Sequence, residues 1–195
     1  DYVTVDFGAV VSVVDLLGGV EIDVSEAEAQ EMNRHIVGTA QLVGKQTQYV
    51  QAGVQNLDGV EALTYARIRK NVGGDYARTE RQRVVIQELA KKAKASDLST
   101  INDIIDEVFS QISTSFTLKE LFGLAAGAMQ YEIKDTAGFP FEHTDGNVEG
   151  VGSVVIPMDV VKNVEQLHTF LYPKSEYKAS ETVKTIASEI EAISA

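Results

Sequence analysis

Five of the chain's six arginines, Arg67, Arg69, Arg78, Arg81 and Arg83, fall in one stretch, YARIRKNVGGDYARTERQR, from Tyr65 to Arg83. With Lys70 they make six basic side chains against two acidic ones, Asp75 and Glu80. That is a local balance of +4 (6 − 2) inside a chain of formal net charge -12. A guanidinium is a rigid planar fork of donors that matches carboxylate and phosphate oxygens, so clustered arginines point to an anion. The acidic whole opposes any general attraction to nucleic acid or anionic lipid, so the anion must be held by placed residues. Asp75, near the start of the helix expected next, can complement its dipole or pair with an arginine, and the N–H groups there favour an anion too.

Periodicity sorts the cluster by direction. Ala62 to Arg69 reads as a strand, and its alternation sets Tyr65, Arg67 and Arg69 on one face. A long helix follows Gly73-Gly74, from about Asp75 to Ala95. Steps of about 100° along it gather Arg78, Gln82, Val85, Leu89 and Ala93 on the core-facing stripe. Arg81 flanks that stripe and Arg83 faces away, toward solvent. A buried guanidinium needs a carboxylate or an anionic ligand, because an unpaired buried charge costs several kcal/mol. Two readings stay open on pattern alone: a structural salt-bridge network, and a phosphate or pyrophosphate pocket.

The rest of the chain supplies elements to position these residues. Tyr2 to Phe7 alternates as a strand, Gly8 to Leu17 is apolar at helical spacing, and Val20 to Val24 gives a second strand. Ser25 with Glu28 forms a capping box for a helix through about Ile36. Residues 38 to 57 read as an excursion containing a short hairpin. Leu57-Asp58-Gly59 opens a short helix that leads into the expected strand at Ala62. Further helices are expected from Thr100, opened with Asp103, from Thr117, capped with Glu120, to about Met129, from Pro157 to Leu171 and from Ser180 to Ile193, with strands at Tyr131 to Thr136 and Gly152 to Ile156. Strands and helices alternate, which argues for an α/β fold (α+β being the variant), with a mixed sheet packed between helices in one domain.

Several chemistries are excluded or left without support. There is no cysteine, hence no disulfide, thiolate zinc site or thiol nucleophile. His35, His143 and His168 lack metal-ligand spacing and read as structural or exposed. Gly18-Gly19 and Gly73-Gly74 do not have the spacing of a phosphate-cradling fingerprint. No stretch reaches the roughly 20 apolar residues of a membrane span.

The residues of the cluster also carry a family resemblance. GVQNLDGVEALTYARIR (Gly53 to Arg69), then Gly74-Asp75-Tyr76-Ala77-Arg78 and Arg81-Gln82-Arg83, resembles the signature of the LytR-CpsA-Psr family. Val5-Asp6-Phe7 and Val14-Asp15-Leu16-Leu17-Gly18-Gly19-Val20-Glu21-Ile22 are similar to that family's middle section. The resemblance is strongest over residues 1 to 95. It implies a bacterial envelope phosphotransferase on the extracellular face of the membrane. Its reaction is to move a glycopolymer, such as a wall teichoic acid or capsular polysaccharide, from a polyprenyl-pyrophosphate carrier to peptidoglycan. It implies catalytic roles for Arg67, Arg69, Asp75 and Arg78, and pyrophosphate binding by Arg67, Arg69, Arg78, Arg81 and Gln82. It also implies magnesium, held by acidic strands that precede this stretch in the family, and an N-terminal membrane helix.

By that comparison the chain corresponds to residues 1–195 of a partial LytR-CpsA-Psr domain, its C-terminal part, expected to bind pyrophosphate but not to turn over alone. A non-catalytic module for an anionic glycolipid or polyprenyl phosphate is the alternative. A DNA-binding regulator is disfavoured by the acidic balance and by core-directed arginines. An unpaired sheet edge left by the missing strands would favour a homo-oligomer.

Overall fold

The computed structural model describes residues 1–127, 130 and 132–194, and the chain is α/β. It divides into two compact units, Asp1–Lys134 and Asp135–Ala195. The first carries β1 (Val3–Val5), α1 (Phe7–Leu16), β2 (Val20–Val24), α2 (Glu26–Val43), β3 (Gly53–Leu57), α3 (Gly59–Arg67), α4 (Gly74–Ala95), α5 (Leu98–Phe109), β4 (Ile112–Thr114) and α6 (Leu118–Gly127). The second carries the hairpin β5 (His143–Val148) and β6 (Gly152–Pro157), then α7 (Val160–Leu171) and α8 (Glu181–Ser194). Among the described residues the strands form three two-stranded antiparallel ladders, β1 with β4, β2 with β3 and β5 with β6, rather than one mixed sheet. No described helix is long and apolar enough to cross a membrane.

The core of the first unit lies under β2 and between α1, α2 and α3. Along β2 burial alternates, with Val20, Ile22 and Val24 inside, and the register runs from Val20 opposite Leu57 to Val24 opposite Gly53. The capping box on α2 is as the sequence reads: Glu28 N–H donates to Ser25 Oγ, and Ser25 N–H to Glu28 Oε2. The helix does not stop near Ile36. It continues through Gly38 to Val43 and ends at Gly44, whose φ of 66° supplies the left-handed turn that usually closes a helix. Residues 38 to 43, expected in an excursion, are helical, and the anticipated hairpin is instead the β2–β3 pair.

The segment expected as a strand, Ala62 to Arg69, is the helix α3 and its exit. Asp58 caps it with Glu61 in a second reciprocal box. Every residue from Gly59 to Ala66 is buried. A short run buried on all sides has no period, so strand and helix look alike in sequence, and the cap decides. In the same way α5 is capped by Asp97, whose carboxylate accepts from Thr100 N–H, and not by Thr100 itself. The Thr117–Glu120 box is present, and its helix is described to Gly127; Met129 lies outside the described residues.

No strand forms at residues 132–136, and Tyr131 lies outside the described residues. In the second unit Pro157 ends β6 rather than opening α7, which is capped by Asp159. The buried Asn163 ties α7 to the hairpin, its Oδ1 accepting from Phe141 N–H at 2.6 Å and its Nδ2 donating to Glu142 O at 3.0 Å.

Candidate functional site: an arginine-lined cleft

The arginine stretch is carried by α3, the loop after it and the first turns of α4. Asp15, in the last turn of α1, accepts from Gly59 N–H at 2.7 Å and so ties α1 to the start of α3. The helices touch there: a Cβ on Gly59 would stand 2.4 Å from the Val11 carbonyl oxygen and 2.8 Å from its Cα. Only a glycine fits against that backbone. The helix then runs to Arg67, and burial across its end reads exposed, buried, exposed for Arg67, Ile68 and Arg69. The two arginines do share the open side, as alternation predicted, although a helix terminus and not a strand produces it.

The loop from Lys70 to Gly73 is held from the inside. Asn71 adopts φ 61°, a left-handed conformation, and its side-chain amide donates to Glu31 Oε2 at 3.1 Å. Arg81 reaches back from α4 and donates to Ile68 O at 2.7 Å, Val72 O at 3.0 Å and Glu28 Oε1 at 3.4 Å. Arg81 is 5% exposed and does not line the cleft described below. The buried stripe of α4 therefore runs through Arg81 and Val85, about one residue from where the helical wheel set it. Gln82 is exposed, with its amide on Ala66 O at 3.4 Å, and Arg83 is half-buried. The wheel erred because α4 is polar almost all round, so few apolar residues fix its orientation, and two backbone carbonyls claim the arginine.

On the outer side three arginines are arranged by aromatic, hydroxyl and carboxylate contacts. The Arg67 guanidinium lies 4.5 Å from the centroid of the Phe7 ring, within cation–π range, and Nη1 donates to Thr39 Oγ1 at 3.5 Å. Asp75 accepts from Arg78 Nη2 at 2.8 Å through one oxygen and from Arg69 Nη2 through the other. One carboxylate thus fixes two guanidiniums, leaving a surplus positive charge. The Arg78 Nε–H is buried and unpartnered, an unspent donor in this cluster. Tyr65, set by alternation on the face of Arg67 and Arg69, is instead inside at 5% exposed, and burial pushes its hydroxyl up to about 12.

Beside these residues opens a cleft of about 330 Å³, lined by His35, Gly38, Thr39, Thr64, Arg67, Ile68, Arg69 and Lys70. Three of these side chains are cationic and none is a carboxylate. Arg67 and Arg69 are on the cleft, and Arg78 and Asp75 join it through Arg69. The sequence reading missed the contribution of α2, where Glu31, His35 and Thr39 stand four residues apart along one face. Glu31 is 2% exposed and accepts from Asn71, from Arg34 at 2.6 Å and from His35 Nε2 at 3.1 Å. The hydrogen bond from Asn71, followed by those from Arg34 and His35, holds its carboxyl below the ordinary value of 4.5 against the opposing effect of burial. A charged residue interleaved with the apolar Met32 and Ile36 was the available signal.

No group of three or more His, Asp or Glu side chains among the described residues gathers as a metal ion would require. Asp75, the carboxylate in the cluster, has both oxygens engaged by arginines. Magnesium needs several oxygen ligands in near-octahedral array. The described residues do not fit that demand.

The model of the LytR_cpsA_psr family matches residues 1–168. The chain belongs to the LytR_cpsA_psr family. Two curated relatives are teichoic acid transferases of Bacillus subtilis. The polyisoprenyl-teichoic acid–peptidoglycan teichoic acid transferase TagV is 30% identical over 131 residues, which is 64% of this chain and 30% of TagV. TagT is 33% identical over 127 residues, 64% of this chain and 37% of TagT. The chain therefore spans about a third of the length of these relatives. Among solved structures, Bacillus subtilis TagV superposes with a TM-score of 0.60 at 23% identity, covering 88% of this chain and 62% of that one. Protein gbs0355 of Streptococcus agalactiae superposes with a TM-score of 0.62 at 20% identity, covering 91% of this chain and 58% of that one. These likenesses establish the fold of the family.

Proposed function

We propose that this chain forms the pyrophosphate-gripping part of a cell-envelope phosphotransferase. That enzyme would move a wall glycopolymer from a polyprenyl-pyrophosphate carrier to peptidoglycan, outside the membrane. The observation that carries this reading is the cationic cleft lined by Arg67 and Arg69, with Asp75 holding Arg69 and Arg78 beside it, in an acidic chain of this family. Its relatives are named for transfer of teichoic acid from a polyisoprenyl carrier to peptidoglycan.

In such a transfer an acceptor hydroxyl oxygen bonds to the polymer-side phosphorus, and the bond to the lipid phosphate breaks. The difficulty is charge on the transferring and leaving oxygens, which fixed cationic donors lower by electrostatic preorganisation. Arg67 and Arg69, on the cleft, would hold the two phosphates. Arg78 would add positive charge behind the cleft and, through Asp75, keep Arg69 in place. Asp75 serves as the orienting anion, since both its oxygens are committed to guanidiniums. Gln82, exposed and one turn after Arg78, is within the same surface, whereas Arg81 supports the loop from behind.

The test is polymer transfer by the full-length natural protein carrying Arg67→Ala or Arg78→Ala. Each variant should lose transfer while keeping its far-UV circular dichroism and unfolding midpoint. Undiminished transfer by both would sink the assignment. Titration of the chain with a polyprenyl phosphate, which does not turn over, measures the grip separately from the chemistry.

A further inference from the structure

His35 stands on the cleft with nothing in the proposed transfer yet asked of it. Its Nε2 lies 3.1 Å from Glu31 Oε1. Glu31 is almost wholly buried, and Asn71, Arg34 and His35 all point donors at it, which keeps the carboxylate ionised. An ionised carboxylate can only accept, so Nε2 must carry the proton of that contact. In the neutral ring the other nitrogen, Nδ1, is then an unprotonated acceptor, and no hydrogen bond is formed by it among the described residues. A carboxylate that fixes an imidazole's tautomer from behind is how a histidine base is prepared for proton abstraction.

The surroundings agree with that role. The His35 side chain is 56% exposed while the Glu31 side chain is 2% exposed, so the pair is anchored inside and presents its ring outside. Thr39, one turn further along α2, accepts from Arg67, which places the ring and the arginines on the same cleft. Gly38 contributes no side chain between them and meets nothing where a Cβ would project, leaving room for an acceptor. The charged groups facing this region are Glu31 and Arg34 from α2, Arg67 from the end of α3, and Arg69 and Lys70 from the loop.

We infer that His35, oriented by Glu31, is the proton acceptor for the incoming hydroxyl in the phosphoryl transfer, an inference that rests on the function proposed above. As the acceptor oxygen bonds to phosphorus, its proton passes to Nδ1. The phosphorus–oxygen bond to the lipid phosphate breaks, and the electron pair leaves on that phosphate oxygen, held by the arginines. His35 thereby becomes a cation in a cleft that has just gained negative charge.

Two measurements test this. In the full-length protein, His35→Ala should lower kcat by about 100-fold or more, the usual reach of general base catalysis, with KM for the carrier substrate within about twofold. Added imidazole should restore part of the lost rate, and His35→Gln should show the same loss although its amide can still donate to Glu31. In the chain itself, nitrogen-15 NMR of its three histidines should show His35 as the Nε2–H tautomer, and Glu31→Gln should erode that preference. Transfer undiminished by His35→Ala, or His35 as the Nδ1–H tautomer, overturns the inference while leaving the arginine grip intact. Failure of the wild-type protein to transfer polymer under the same conditions overturns the transferase reading and this inference together.

Discussion

Replacing Arg81 with Met separates a supporting arginine from a ligand-binding one. Methionine preserves much of the apolar stem but removes every donor, leaving Ile68 O, Val72 O and Glu28 Oε1 without the partners now at 2.7, 3.0 and 3.4 Å. A buried acceptor stripped of its donor costs about 1–3 kcal/mol. Ile68 O lies beside a wholly buried residue and takes the upper part of that range, whereas the half-buried Val72 takes the lower part. The Glu28 side chain is 17% exposed and its contact is long, so water compensates most of that loss. The sum is about 3 kcal/mol, a large fraction of the 5–15 kcal/mol that holds a typical domain together. With an m-value of about 1–3 kcal/mol/M, urea denaturation followed by circular dichroism should show the midpoint of the first unit lowered by about 1–3 M. Hydrogen exchange at the amides of residues 69 to 74 should quicken in the same variant. An unchanged midpoint combined with lost affinity for polyprenyl phosphate would refute the argument and return Arg81 to the ligand.

Three further outcomes follow from the geometry. Asp75→Asn should cut polymer transfer at least tenfold by releasing Arg69 and Arg78, yet shift stability by less than about 1 kcal/mol, since all three side chains are more than a quarter exposed; transfer and denaturation assays on one preparation check both halves. Glu31 has a folded-state pKa below its ordinary 4.5, so its contribution to stability is present above that pH and is lost as pH falls through the lower folded value. Unfolding midpoints between pH 6 and 3 should therefore drop in the wild type and drop less in Glu31→Gln. Gly59→Ala places a methyl group against the Val11 backbone and should cost about 2–3 kcal/mol in the same denaturation assay, because neither helix can yield without moving the other.

The sequence carried the composition of the site better than its geometry. The arginine excess and the caps at Ser25 and Thr117 were legible because charge and capping chemistry are local. That Arg67 and Arg69 share a side was also legible, through an alternation that a helix end happens to reproduce. The burial of Arg81 was not, because what draws it inward is a pair of carbonyls that become neighbours only once the loop folds. The Glu31–Asn71 bond spans 40 residues and has no periodic trace. Nor does α3, buried on every side, announce its own secondary structure. The second hairpin was missed at His143 to Val148 because its first strand is polar and holds Gly146, which packs against Ile156 where a side chain would collide.

The contact between Gly59 and Val11 gives α3 the properties of a lever. The helix is nine residues long, so about 13 Å separate its clamped start from Arg67 at its tip, at 1.5 Å per residue. A tilt of about 5° about the glycine moves the guanidinium by roughly 1 Å, a displacement that can cost on the order of 100-fold in a reaction dependent on aligned groups. The methyl group of Gly59→Ala thus acts at a distance. Far from the cleft, it would be read out in catalytic rate as much as in melting, and a screen for activity alone would mistake it for a residue of the site.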